Sequence, residues 1–151
     1  MNQLNVDTMS QQILALAPDA ILYADREGII QLWNKGAERI FGVPSDRAIG
    51  QSLDIIIPEK LRERHWEGYH KTMETGETRY GTELLAVPSM HAGGNRLSTE
   101  FSIVMLKNDE GTPLGVAAIM RDVTERHQKE KQLRERLEEL EAQKIVSTET
   151  E

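Results

Sequence analysis

The stretch Pro18-Asp19-Ala20-Ile21-Leu22-Tyr23-Ala24-Asp25-Arg26-Glu27-Gly28-Ile29-Ile30-Gln31-Leu32-Trp33-Asn34 decides how the chain begins to fold. Pro18 and Asp19 stop any helix before them, because proline lacks the backbone donor that a helix needs. Ala20–Asp25 then reads as a strand and residues 29–33 as its return. Arg26-Glu27-Gly28 is the tight turn between them, with Gly28 available for a positive φ. Strands joined by so short a turn run antiparallel. Asn34 ends the second strand, and its side-chain oxygen can cap the next element.

Upstream, residues 4–17 place Leu4, Met9, Ile13 and Leu16 at helical spacing, which predicts a short amphipathic helix. Downstream, residues 36–41 form a short helix with Ala37, Ile40 and Phe41 inward and Gly42 closing it. Residues 45–50 repeat the pattern of cap, single turn and terminal glycine. An apolar run over 53–57 ends at Pro58. Residues 59–75 make a longer helix, with Pro58 before it, Glu59 in its first turn and Gly76 just past its end. Strands are predicted over 79–87, 96–107 and 114–123, separated by a loop over 88–95 and a turn at Asn108-Asp109-Glu110-Gly111. In the middle strand Leu97, Thr99, Phe101, Ile103 and Met105 alternate with Ser98, Glu100 and Ser102. The expected class is α+β.

At Thr124 the composition turns almost wholly charged or amide, with Leu133, Leu137 and Leu140 at four-then-three spacing, a short coiled-coil seam. No Pro or Gly separates it from the last strand, so strand and helix should be stiffly joined. The chain thus divides into an N-terminal amphipathic helix (1–17), a core domain (18–123), a C-terminal charged helix (124–144) and a disordered tail (145–151). A leucine seam in a charged helix needs a partner surface, so a homodimer is expected. The alternative is that each helix packs back on its own sheet.

Composition narrows the function. The 151 residues carry a net charge of −7 and no cysteine. The acidic balance speaks against nucleic acid, which needs clustered Lys and Arg, and against a polybasic membrane anchor. Without cysteine there are no disulfides, thiol nucleophiles or Cys metal sites. No apolar run approaches the roughly 18 residues that span a bilayer, and the first residues lack a signal peptide's basic and apolar regions. A cytoplasmic protein is expected, and not an enzyme. No serine sits in a Gly-x-Ser-x-Gly elbow, and Gly93-Gly94 lacks the Lys-Ser/Thr that follows a phosphate loop. Glu83 and Glu100 alternate with apolar residues, as on the solvated face of a sheet.

One side chain in the long helix stands out. At about 100° per residue, His65 lies at about 40° from Leu61 and Tyr69 at about 80°, whereas His70 lies at about 180°. His65 therefore points inward and His70 outward, and the two cannot share a metal. An inward imidazole is a candidate metal or ligand contact, or else a structural buried histidine. Trp66, at about 140° by the same arithmetic, lies on the flank and should pack on a loop or a dimer partner. Trp33 should pack rather than react. His91, beside glycines, and His127, on the exit helix, should be solvated.

The order of elements resembles the PAS family over roughly residues 10–125. The resemblance rests on Pro18-Asp19-Ala20-Ile21, Gly28-Ile29-Ile30, Trp33-Asn34, Ala37-Glu38-Arg39-Ile40-Phe41-Gly42, Ile49-Gly50 and Arg121-Asp122-Val123-Thr124-Glu125-Arg126. It implies the PAS fold: a five-stranded antiparallel sheet with short helices on one face, flanked here by the two amphipathic helices. It also implies a sensory signal-transduction module. Asp122 and Thr124 would tie the last strand to the exit helix, and a histidine kinase or regulator would read that helix.

Ile57-Pro58-Glu59-Lys60-Leu61-Arg62-Glu63-Arg64-His65-Trp66-Glu67-Gly68-Tyr69 is similar to the corresponding helix of haem-binding gas sensors in that family. That similarity implies haem b with His65 as its axial iron ligand. Tyr69, Leu84, Phe101, Ile103 and Met120 would line the site. Leu84 falls where those sensors carry an oxygen-stabilising arginine, so the distal side would be apolar and suited equally to carbon monoxide or nitric oxide. Another small ligand, or a ligand-free dimerisation and interaction scaffold, remains open.

Overall fold

The computed structural model describes residues 3–78 and 83–149. Helix α1 (Val6–Leu16) leads into the hairpin β1 (Ala20–Asp25) and β2 (Ile30–Trp33). Helices α2 (Lys35–Phe41) and α3 (Ser45–Ala48), a 3-10 turn at Leu53–Ile56 and helix α4 (Glu59–Thr75) follow. Strands β3 (Leu85–Met90), β4 (Arg96–Lys107) and β5 (Pro113–Asp122) complete the sheet, and helix α5 (Thr124–Glu149) leaves it. The strands lie in the order β2-β1-β5-β4-β3, every pairing antiparallel. The α+β, five-stranded architecture expected from the sequence is the one present.

Alternation sets the two faces of the sheet. Ala20, Leu22 and Ala24 of β1 stand opposite Met120, Ala118 and Val116 of β5, and these stand opposite Phe101, Ile103 and Met105 of β4. This inner face meets Trp33, Ile40, Phe41, Leu53, Ile56, Tyr69 and Met73 in one core. Trp33 packs as expected: its ring lies 5.5 Å from that of Phe41, and its indole N–H donates to the Val43 carbonyl.

Asn34 does more than cap α2. Its Oδ1 accepts from the backbone N–H of Ala37 at 2.9 Å and of Ile21 at 2.8 Å. Its amide nitrogen donates to the carbonyls of Leu14 and Asp19 at 2.9 and 3.1 Å. One buried side chain thus joins the end of α1, the start of β1 and the start of α2.

Three boundaries differ from expectation. The strand expected over 79–87 lies partly at 79–82, outside the described residues; β3 runs from Leu85 to Met90, through Pro88. Proline is tolerated there because β3 is an edge strand, where a missing N–H need not break a ladder. The loop accordingly starts later, and His91 is half-buried over Gly42 with its Nδ1 accepting from the Gly93 N–H at 2.9 Å. Lastly, α5 continues to Glu149 through most of the expected disordered tail. The alanine, glutamine and lysine of residues 142–144 favour helix, and no Gly or Pro stops it.

Candidate functional site

Helix α4 begins just after its N-cap Pro58 and ends where Gly76 takes φ 70°, the Gly76 N–H donating to the Thr72 carbonyl. Its buried side chains are Tyr69 and Met73. Measured from Leu61, these lie at about 80° and 120°, so the core stripe is centred near 100° and His65 sits at its edge. The arithmetic placed His65 inward correctly but too centrally. His70 is exposed, as expected.

Aromatic and polar contacts fix this helix on the hairpin. Tyr69 donates its hydroxyl to the Asp25 carbonyl at 2.5 Å, with the Ala24 carbonyl at 3.2 Å. Burial, foremost, and the Asp25 charge raise its pKa, so the hydroxyl stays a donor. Trp66 packs on the β1–β2 turn, where a β-carbon on Gly28 would fall 2.1 Å from its ring. Its indole N–H donates to Asp54 at 2.8 Å. The loop contact expected for Trp66 is therefore this turn together with Asp54.

His65 packs edge-on against Trp66 at 4.7 Å and lies 5.7 Å from the Tyr69 ring. Its Nδ1 is buried and has no hydrogen-bond partner. Burial pushes its pKa below the ordinary value, with the Asp54 charge opposing and His70 assisting. The imidazole is thus held neutral, the state in which a nitrogen lone pair can bind a metal or accept a proton.

The other expected lining residues divide. Tyr69 and Met120 are buried in the core, and Phe101 and Ile103 are partly buried against it. Leu84 does not belong: it precedes β3 and is 64% exposed. Two open hollows of about 370 and 450 Å³ lie instead around Arg26, Met73 and Glu74, the larger reaching Lys107 and Pro113. Neither is lined by His65. For haem, then, the neutral His65 has the chemistry of a donor, and Phe101, Ile103 and Met120 are apolar side chains of the core's inner face. Its Nδ1 lacks the acceptor that usually orients a ligating histidine. Among the described residues no group of three His, Asp or Glu could hold a metal by itself.

At the other end of the sheet, Asp122 and Thr124 form a closed junction. Asp122 Oδ1 accepts from the Thr124 N–H at 3.0 Å and from its hydroxyl at 2.5 Å. Thr124 Oγ1 accepts from the Ser98 N–H at 2.9 Å, and the Ser98 carbonyl accepts from the Val123 N–H at 2.8 Å. Arg126, in the first turn of α5, pairs with Glu100 of β4. Thus α5 is clasped to β4 as well as continued from β5. Ser98 acts through backbone groups alone, so no residue type announces it in sequence.

The sequence profile of the PAS fold matches residues 14–128. The chain belongs to the PAS fold family. It is 33% identical over 150 residues to the sensor protein FixL of Bradyrhizobium diazoefficiens, covering 89% of this chain and 26% of FixL. It is 26% identical over 128 residues to the signal transduction histidine-protein kinase AtoS of Escherichia coli, covering 83% of this chain and 20% of AtoS. The chain therefore spans about a quarter or less of these relatives. A PAS domain from Colwellia psychrerythraea superposes with a TM-score of 0.70 at 23% identity, over 80% of this chain and 99% of that one. This PAS domain is accordingly a sensory domain related to sensor kinases.

Proposed function

We propose that this PAS domain binds a small ligand on the inner face of its sheet, near His65, and passes the change to α5 through Asp122 and Thr124. The observation that carries the reading is the clasp at Ser98. Phe101 and Ile103 follow Ser98 on β4 and face the core, while Ser98 itself holds Thr124. A ligand pressing on the inner face would displace β4 and with it the first turn of α5. It shifts the equilibrium only by the difference in its affinity for the two positions.

Haem is the ligand we put first: His65 would supply the donor to its iron, and Phe101, Ile103 and Met120 would give it apolar surroundings. When bound, its iron would report a diatomic gas or a redox change. The domain itself performs no catalysis; it works as a cytoplasmic homodimer, and a histidine kinase or regulator reads α5. The kinship with FixL and AtoS supports that output. The exposed apolar stripes on both terminal helices, including Ile13, Leu16, Leu133 and Leu137, support the dimer and also favour a second reading, a ligand-free dimerisation scaffold. The visible spectrum of protein made in haem-supplemented cells tests haem, and mass spectrometry of co-purified small molecules tests another ligand against the empty scaffold. A Soret band that is lost in His65→Ala supports the haem site. A colourless protein, or a band indifferent to that substitution, removes it.

A further inference from the structure

On the outer face of the sheet, at the end where β1 starts and β5 stops, five charged side chains alternate in sign across β1, β5, β4 and α5. Asp19, between α1 and β1, holds Arg121 of β5 in a bidentate pair at 3.1 and 3.0 Å. Arg121 stands directly across the ladder from Glu100 of β4, and both acids favour its charged form. Glu100 pairs with Arg126 of α5, and Arg126 lies 3.7 Å from Glu130 one turn on. Asp19 is also where Asn34 grips the backbone that follows α1.

We infer that this row is a latch coupling the leading segment, residues 14–19, to the first turn of α5, by a route that bypasses the inner face. The partners are far apart in sequence, and β1, β5 and β4 fix their spacing. Neutralising either terminal acid leaves the next arginine with one partner fewer, and the imbalance passes along the row. Single exposed pairs are weak, yet several charges in a network can hold a geometry that one pair cannot. The same exposure makes the latch sensitive to salt. An event at residues 14–19 would thereby loosen or tighten α5 without a ligand inside the domain.

The test is amide hydrogen exchange on the whole chain, in about 20 mM and about 0.5 M NaCl, where the screening length falls from roughly 20 Å to about 4 Å. In low salt, Asp19→Asn should speed exchange in the first turn of α5 about two- to threefold, and Arg126→Gln should do the same at the end of α1. Both far-end effects should shrink in high salt. In the double variant they should be less than additive. Changes confined to the mutated end overturn the latch. Far-end changes of undiminished size in high salt overturn it too, because the coupling would then run through the sheet backbone. Glu63→Gln, a charge loss on the exposed face of α4 away from the row, should move neither end and controls for net charge.

Discussion

Thr124 accepts the Ser98 N–H at 2.9 Å while giving its own proton to Asp122, so one hydroxyl joins β4 to the start of α5. Val123 alone separates β5 from α5. A rotation of the helix must therefore either break this clasp or carry β4 with it.

Thr124→Val keeps the shape and removes both bonds. The Ser98 N–H is left without its acceptor, at a cost of about 1–2 kcal/mol. The midpoint of urea unfolding should fall accordingly, with exchange at the first turn of α5 rising more than elsewhere. Thr124→Ser keeps the hydroxyl and should lie within about 0.5 kcal/mol of the parent. A loss in Thr124→Ser with none in Thr124→Val would show that the methyl group, not the hydrogen bonds, matters.

Asn34→Ala removes an N-cap and leaves buried carbonyls and N–H groups unpaired, so a loss of about 2–4 kcal/mol is expected. Asn34→Asp is more diagnostic. It keeps the acceptor for Ala37 and Ile21 but turns an oxygen toward the Leu14 and Asp19 carbonyls. Protonation restores one donor, so the pKa of the new acid would be raised in the folded state. Stability of this variant should therefore be greatest at low pH and fall as pH rises through that pKa. Unfolding curves between pH 4 and 8 compared with the parent, on the order of the range a carboxyl can cover, show whether the slope has that sign.

Gly28 takes φ 78°, and a β-carbon there would strike the Trp66 ring. Gly28→Ala therefore meets two penalties, roughly 1–2 kcal/mol for the left-handed backbone and a steric one that depends on Trp66. Trp66→Ala in the same chain should relieve only the second. A double-mutant cycle by chemical denaturation should give a favourable coupling of about 1 kcal/mol or more. Strict additivity would mean that the turn, not the ring, rejects the methyl.

Much of this was legible in the sequence, and the misses have physical causes. The limits of α4 and β1 could be read because Pro58, Gly76 and Pro18 act on the backbone locally. Pro88 misled for the same reason: it breaks a central strand, but edge position is a tertiary property. Leu84 falls one residue before β3, so the alternation of a strand does not set its direction. Asn34 was visible as a cap, whereas its hold on α1 depends on where the hairpin turns back. Asp122 and Thr124 could be named from the resemblance, while Ser98 and the row from Asp19 to Glu130 arise only from strand register.

His65 brings the site and stability together. Burial lowers its pKa, so the folded state resists protonation below the unfolded value near 6.5. Between the folded and unfolded pKa values the unfolded chain binds more protons, so the stability owed to neutral His65 is complete above about pH 6.5 and is lost as pH falls through the folded pKa. His65→Leu should abolish that part of the acid-side slope when unfolding is followed from pH 7.5 down to about 5. Because Nδ1 is buried without a partner, the leucine should also be neutral or stabilising at pH 7.5, as apolar replacement of an unsatisfied polar group can be. That outcome would support the ligand site proposed at His65. A marked destabilisation at pH 7.5 would instead make His65 a structural residue and remove that support for a ligand site.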